Sequence, residues 1–376
     1  MSPLPQELFD AIIDQVRDKE TLKACALVAT PFLPPSQRNL FRKIRLGGLR
    51  SGRDTPVFLA GFPHLVSYIR DLIIYQDTAW NSVAVGVVLR SARNIESLVF
   101  LGRALDWSHL GYEASSALLE CLLRPSLQRL DLTHMKSVPT ALISVATAIP
   151  VVSFFNVRMD VRKAISEQLH TSAPAPRLRH LILNDTGFAV HLICNFLLHP
   201  RKPAYTQQIE RLEIYIDHHS ASYDELIMAA CAATLKYLAV NTEDIIRLPL
   251  LPSVLEVEMK VFVGENRRLP AFFSQNISQI ASSLPLAETL TLVFILEPGW
   301  IPEIEWPEEG SLPIFGPSFM DRTQLLHLRR VHCILCRDTA LGDMSAVFDR
   351  FVPAMESKMP GLRDRGILKC TLADLP

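Results

Sequence analysis

A short apolar phrase recurs along most of this chain, and its spacing limits what the chain can fold into. In each strong copy, one apolar residue is followed three residues later by a second and two residues after that by a third. The strong copies are Ile69-Leu72-Ile74, Ile95-Leu98-Phe100, Leu127-Leu130-Leu132, Leu178-Leu181-Leu183, Ile209-Leu212-Ile214 and Leu235-Leu238-Val240. Their central positions, with Phe154 from a weaker copy, are 24 to 32 residues apart. This spacing predicts a repeat of one strand and one helix.

Weaker copies extend the pattern to Val151-Phe154, Val254-Val257-Met259, Leu290-Leu292, Leu325-Leu328 and Ile367-Cys370-Leu372. Stretches with helical character lie between the copies, at 82–90, 114–123, 140–148, 190–198, 223–233 and 272–283. One strand–helix unit cannot bury its apolar face alone, so stacked units share one core. The chain is therefore predicted to be α/β. Residues 63–376 resemble an irregular leucine-rich-repeat solenoid that lacks the asparagine ladder of regular repeats.

The first 46 residues predict three short helices. Pro5 suits the start of a helix, and an apolar stripe follows at Leu8, Phe9, Ile12, Ile13 and Val16. Asp18 can cap a second helix through Thr21–Ala29, and Ser36 can cap a third that carries Leu40 and Phe41. So short a segment buries little core of its own, which favours a docking element.

This element resembles the F-box. The residues that carry the resemblance are Leu4-Pro5, Glu7-Leu8, Ile12-Ile13, Leu22, Cys25-Ala26-Leu27-Val28 and Leu40-Phe41. The fuller run through Phe32-Leu33-Pro34-Pro35 and Leu40-Phe41-Arg42-Lys43-Ile44 is similar to the divergent F-box proteins of mushroom-forming fungi. The resemblance implies binding to the Skp adaptor of cullin-based ubiquitin ligases through Leu4, Pro5, Leu8, Ile12, Ile13, Val16, Leu22, Cys25 and Val28.

In a solenoid of this kind, residues that flank the buried leucines point to the concave face. The candidates for binding a protein target there are Arg129, Asp131, His180, Asn184, Arg211, Glu213, Tyr215, Tyr237 and Asn241. Further positions on the same face are Asp71, Tyr75, Thr133, Glu256 and Glu258. Tyrosine, arginine and interleaved opposite charges favour a polar protein or peptide partner, and the alternative is a solvated inner face.

Two segments interrupt this organisation. Residues 47–62, which begin with Gly47-Gly48, are predicted to be a linker between the helical element and the solenoid. A proline-rich insertion near 297–317 carries Trp300 and Trp306 beside an acidic cluster. It is interpreted either as a partner-binding flap or as a surface insertion whose tryptophans pack back on the repeats.

Composition excludes several classes of protein. The formal net charge of −1 provides no basic field for nucleic acid. The start has no secretory signal, which predicts a cytosolic or nuclear protein, and seven dispersed cysteines are typical of reduced thiols. The uncharged stretch from Ser137 to Val157 contains prolines and polar residues, so it predicts a buried helix followed by a strand rather than a membrane span.

No catalytic constellation is evident. Cys333-x-x-Cys336 with His332 has half of a zinc spacing, and two buried thiols are the preferred interpretation. Asp217-His218-His219 predicts a polar loop, because neighbouring histidines at a strand end point to opposite faces. Phosphate-binding glycine runs and hydrolase elbows are missing from the sequence. We therefore expect no enzyme activity, cofactor or metal.

These observations lead to three functional hypotheses. The first, implied by the resemblance, is a substrate-recognition subunit of an SCF-type E3 ubiquitin ligase that binds a Skp adaptor and a protein substrate of unknown identity. The second is a stand-alone leucine-rich-repeat binding module or scaffold whose first helices only cap the repeats. The third is a hydrolase on an unusual repeat, which bound metal or cofactor in the purified protein would support.

Overall fold

The computed structural model describes residues 5–47, 54–75, 82–160, 175–184, 188–199, 205–216, 221–242, 245–263, 273–296, 327–337 and 344–374. The chain divides into two compact units, Met1–Leu178 and Arg179–Pro376, here called unit 1 and unit 2. Both units are mixed α/β, which confirms the predicted fold class at that level.

The described part of unit 1 contains eight α-helices and seven strands. The helices are α1 Gln6–Asp14, α2 Lys19–Val28, α3 Leu33–Phe41, α4 Thr55–Gly61, α5 Pro63–Val66, α6 Ser82–Ser91, α7 Gly111–Leu122 and α8 Ala141–Ala146. The strands are β1 Lys43–Leu46, β2 Asp71–Tyr75, β3 Ser97–Asp106, β4 Arg129–Lys136, β5 Val138–Pro139, β6 Val151–Phe155 and β7 Met159–Asp160. Strands pair in the order β1-β2-β3-β4-β6, all parallel, and β5 pairs with β7.

The described part of unit 2 contains five helices and seven strands. The helices are α9 Phe188–Leu197, α10 Ala221–Cys231, α11 Phe273–Ser283, α12 Ser345–Lys358 and α13 Pro360–Asp364. The strands are β8 His180–Asn184, β9 Arg211–Ile216, β10 Tyr237–Thr242, β11 Glu256–Val263, β12 Thr289–Leu296, β13 Arg330–Arg337 and β14 Leu368–Asp374. These strands are all parallel and pair in chain order.

Fully buried columns of apolar side chains run across the strands of each unit. In unit 2 the first column is Leu181, Leu212, Leu238, Val257 and Leu290. The second, two residues further along each strand, is Leu183, Ile214, Val240, Met259 and Leu292. In unit 1 the same two columns pass through Leu72, Leu98 and Leu130 and through Ile74, Phe100 and Leu132. The strong copies of the apolar phrase therefore form the core.

Two of the weaker copies, Val254-Val257-Met259 and Leu290-Leu292, have the predicted register, and the other three do not. Leu130 pairs with Val152, and Phe154 pairs with Leu132, so the centre of that copy lies two residues earlier than predicted. Likewise Val331 pairs with Leu368 rather than Cys370. In the copy predicted at Leu325-Leu328, Leu328 is the first apolar residue rather than the second. Val331 and Cys333 of β13 are the other two.

The helices between strands agree with prediction to within three residues at each described end. The uncharged stretch from Ser137 to Val157 contains α8 followed by β6, and Leu142, Ile143 and Val152 within it are buried. This confirms the predicted buried helix and strand. Among the helices described, none is long and apolar enough to cross a bilayer.

The amino-terminal helices form as expected, except for the cap of α3. Asp18 caps α2, since its carboxylate accepts a hydrogen bond of 2.7 Å from the Thr21 backbone N–H. Ser36, however, is not the cap of α3, because that helix begins at Leu33 and the following prolines occupy its first turn. Ser36 is instead a buried residue within α3.

The region predicted to be a linker contains secondary structure. Within 47–62, α4 occupies Thr55–Gly61. The end of the preceding helical element is also different from prediction, because Lys43–Leu46 forms β1, which pairs with β2. Residues 48–53 of the predicted linker lie outside the described residues, as do the whole 297–317 insertion and Asp217-His218-His219.

Six of the seven cysteines lie in the strands and helices of the predicted solenoid, and five of them are buried from solvent. Cys121, Cys194 and Cys231 are buried, and burial raises the pKa of the Cys121 thiol to about 11. Cys333 and Cys336 are also buried, which confirms the predicted pair of buried thiols. They are three residues apart on β13, so their side chains leave the strand on opposite faces.

Thiol reactivity provides a test of this packing. We expect Cys25 and Cys370 to react with a thiol reagent in the native protein, since both are partly exposed and a hydrogen bond from Cys333 lowers the pKa of Cys370. The other five thiols should react only after denaturant is added. A Cys25→Ser variant should lose one fast equivalent, and rapid reaction of all seven native thiols would contradict the packing.

Candidate functional site: two binding surfaces

The amino-terminal helices pack around a small core. Ile13 of α1 and Leu22 of α2 are almost fully buried. The ring of Phe9 meets that of Phe32 edge to face, with centroids 5.0 Å apart. Phe32 belongs to a short 3-10 helix, Thr30–Phe32, between α2 and α3. The start of α1 therefore lies beside the segment that follows α2.

Polar contacts hold α1 on the neighbouring segments. The Arg38 guanidinium of α3 lies 3.0 Å from the Asp14 carboxylate and 3.3 Å from that of Asp10. Asn39 Nδ2 donates to Asp14, and Gln6 Nε2 donates to the Pro31 carbonyl at 2.8 Å. The hydrogen bond from Asn39, followed by those from Arg38, lowers the pKa of Asp14. Because these groups are largely exposed, they orient the helices more than they stabilise them.

Several large apolar side chains of this element face outward. Leu27 is 88% exposed, Val28 72%, Ile12 58% and Leu8 49%, and Leu33 is exposed as well. Leu8 and Ile12 are one helical turn apart on α1, and Leu27 and Val28 end α2, close to the segment that contacts the start of α1. We call these five residues the apolar surface. Exposed apolar patches on soluble proteins are common at contact sites for other molecules, which makes this surface a candidate binding site.

The structure separates the predicted adaptor-binding residues into two groups. Pro5, Leu8, Ile12 and Val28 are exposed, and Val16 and Cys25 are half-buried. Ile13 and Leu22 are core residues, so they shape the element and do not offer a surface to a partner. Leu4 lies outside the described residues. Leu27 and Leu33 are exposed as well but are absent from the predicted set, although the adjacent apolar pair Leu27-Val28 at a helix end before Pro31 was a signal for Leu27.

The second surface lies on the strands of unit 2, on the face opposite the buried columns. Side chains in register across β8 to β11 form three rows. These rows are His180, Arg211, Tyr237 and Glu256, then Ile182, Glu213, Ala239 and Glu258, and then Tyr215, Asn241 and Lys260, with Asn184 at the matching position of β8. We call this set the polar face. Seven of the nine predicted target-binding residues belong to it.

Direct contacts order the polar face. His180 Nε2 lies 2.8 Å from Glu213 Oε1, and this hydrogen bond lowers the pKa of Glu213 even though partial burial opposes the effect. The Arg211 guanidinium stacks over the Tyr237 ring, 3.9 Å from its centroid. Tyr237 donates its hydroxyl hydrogen to Glu258 at 3.1 Å. Burial, together with the nearby charges of Glu258 and Glu213, raises the pKa of Tyr237 above its ordinary value.

The remaining two predicted residues, Arg129 and Asp131, lie on β4 in unit 1. Arg129 Nε pairs with Asp131 Oδ2 at 2.8 Å, so these two groups satisfy each other in part. Among the described residues, the other oxygen, Asp131 Oδ1, is buried without a hydrogen-bond partner, and so is Asn241 Oδ1 on the polar face. Lys260 is a further member of the polar face that was not predicted, although it lies two residues after the predicted Glu258 on the same strand.

Unit 1 also contains a cavity lined by charged residues. A cavity of about 600 Å³ opens in unit 1 beside α3, and its lining includes Arg38, Arg42, Arg70, Asp14 and Glu96. Arg38 pairs with Asp14 and Arg70 with Glu96 at 3.1 Å, so these cations are already neutralised. Within the described ranges, histidines, cysteines and carboxylates form no group that could hold a metal ion.

Both surfaces offer groups that can form noncovalent contacts. The apolar surface offers area that is removed from water when a partner covers it, and the polar face offers hydrogen-bonding groups held in fixed positions. A scan against protein-family models gave no match, and neither did a search of curated proteins.

Proposed function

We propose that this chain is a substrate-recognition subunit of an SCF-type ubiquitin ligase. Its amino-terminal helices, resembling an F-box, dock on a Skp adaptor, and its strand–helix units form an irregular leucine-rich-repeat-like solenoid that holds a protein target. The setting for this activity is the cytosol or nucleus. Catalysis by proximity suffices, because ubiquitin is transferred by an enzyme held elsewhere on the cullin complex.

The apolar surface is the observation that carries the proposal. A side chain as exposed as Leu27 gains about 1.5–3 kcal/mol when it is buried, and several such residues lie on one element. In the isolated chain the exposed fractions of these side chains are not buried by folding. The polar contacts of Arg38 and Asn39 fix the helices that present it, which lowers the entropic cost of docking.

Support for the solenoid comes from the strand order within each unit. Parallel strands that pair in chain order, joined through helices, are what a stack of strand–helix repeats requires. The two buried columns recur strand after strand, as a leucine-rich repeat needs. Each repeat then leaves its outward-facing strand residues available for recognition.

Co-purification with a fungal Skp adaptor tests the proposal. We expect the wild-type chain to form a stable complex, and a Leu8→Asp, Ile12→Asp double variant to bind at least about 100-fold more weakly, because two apolar contacts are lost. The matched control is Leu226→Asp, Leu250→Asp, which changes two equally exposed leucines of unit 2. Both variants should unfold at the wild-type midpoint.

Pairing of β1 with β2 favours a second candidate. The polypeptide after α3 enters the sheet of unit 1 directly, so the helices could serve only as a cap for the repeats. In that case the chain is a stand-alone binding module or scaffold. Absence of a complex with any adaptor tested, for wild type and control alike, would overturn the ligase proposal in favour of this one.

A further inference from the structure

The centre of the polar face is a small residue framed by hydrogen-bond acceptors. Ala239 of β10 pairs with Glu213 of β9 on one side and Glu258 of β11 on the other. Along β10 itself, Tyr237 and Asn241 are the neighbours two residues away on the same face. Ala239 has only a methyl group and is 4% exposed, so it forms a floor between four larger polar side chains.

Around Ala239, hydrogen-bond acceptors outnumber the donors that the described residues offer to them. Asn241 Oδ1 is buried without a hydrogen-bond partner in the part of the chain that the structure describes. Glu213 accepts from His180 through one oxygen, the charges of Lys260 and Arg211 act on the same carboxylate, and among the described residues no hydrogen bond reaches its second oxygen. Glu256, in register with Tyr237, is exposed and makes no ion pair within the described structure. A ligand that supplies several N–H donors would satisfy these groups.

The fixed charges of the polar face also favour a positively charged ligand. Glu213, Glu256 and Glu258 are three carboxylates, whereas Arg211 and Lys260 are the two fixed cations. Arg211 is engaged with the Tyr237 ring, and Lys260 Nζ lies 3.5 Å from Glu258, too far for a strong hydrogen bond. Farther along the described strands, β12 presents Thr289 and Thr291, β13 presents Arg330 and His332, and β14 presents Lys369.

We propose that the polar face binds a basic peptide segment of the target, with one lysine or arginine side chain placed over Ala239 between Glu213, Glu258 and Asn241. The ammonium or guanidinium donates to the unpartnered oxygens, and its charge complements the excess of carboxylates. The inference names the kind of segment that the proposed ligase subunit would recognise. The identification of the bound segment as part of a ligase target rests on the proposed function. Binding of the peptide itself does not, because it is measured without an adaptor.

Fluorescence anisotropy with the purified full chain tests the inference. The probes are three labelled twelve-residue glycine-serine peptides whose central three residues are lysine-arginine-lysine, three glutamates or three serines. We expect the basic peptide to bind at least about 10-fold more tightly than the other two, with an affinity that falls as salt is raised. Tighter binding of the acidic peptide, equal binding of all three, or no binding up to millimolar concentration would overturn the proposal.

Two variants with opposite expected effects locate the site. Glu213→Gln, Glu256→Gln removes two charges while keeping the shape and one acceptor oxygen of each side chain, and it should weaken binding of the basic peptide about 10-fold. Lys260→Met removes the cation that the chain itself places beside Glu258, and it should strengthen the same binding. Unchanged affinity in both variants, with unfolding midpoints at the wild-type value, would place any peptide binding elsewhere. Failure of adaptor docking would leave these peptide results unaffected, so the two proposals can fail separately.

Discussion

Replacing Leu212 with alanine is expected to lower the free energy of unfolding of unit 2 by about 2–5 kcal/mol. Leu212 is fully buried, and it is in register with Leu181 on one side and Leu238 on the other. The substitution leaves a cavity inside a column that continues through every described strand of the unit. Urea unfolding followed by circular dichroism measures the loss.

The control for this prediction is Leu250→Ala. Leu250 is 64% exposed, so the same chemical change should alter the free energy of unfolding by less than about 0.5 kcal/mol. Equal effects of the two substitutions would show that the columns are not the core, and the register described above would then be wrong.

Replacing Gly47 with alanine should also destabilise the protein strongly. Gly47 has a φ of +79°, and a Cβ atom built there would lie 2.0 Å from the Tyr75 carbonyl oxygen. The backbone conformation alone costs about 1–3 kcal/mol for a residue other than glycine, and the clash forces the end of β1 away from the end of β2. Thermal unfolding should show a lower midpoint, and limited proteolysis should cleave faster near residue 47.

Gly61→Ala is the matched substitution. Gly61 ends α4, and a Cβ there would meet nothing within 4 Å. Alanine should therefore be neutral or stabilise slightly, by up to about 1 kcal/mol, because it restricts the unfolded chain. If the two glycine variants unfolded alike, the close contact between Gly47 and Tyr75 would be disproved.

The apolar phrase predicts the strands well because each copy combines a period of two with a fully buried face. It fails to fix the register where several apolar residues alternate. In Val151–Phe155 both Val152 and Phe154 point into the core, so a slip by two residues keeps the same side chains inside and leaves no trace in the pattern. The same ambiguity separates Leu368 from Cys370.

The two binding surfaces differ in how far the sequence anticipates them. Alternation along β9 and β10 is enough to place Arg211, Glu213 and Tyr237 on one face, and the parallel register then brings neighbouring strands together. An apolar stripe on a helix does not show which of its members face α3 and which face solvent. Ile12 and Ile13 illustrate this, since adjacent residues of one stripe are exposed and buried, respectively. Only packing decides between them.

The most direct test of the central claim is a calorimetric titration of the purified chain with a fungal Skp adaptor, for wild type and for Leu27→Lys. Lysine suits the last turn of α2, so the variant should fold normally while losing the most exposed apolar side chain of the element. We predict a wild-type Kd below about 1 μM and binding at least about 10-fold weaker for the variant. No heat of binding for wild type, or equal affinities for both proteins, would contradict docking through the apolar surface.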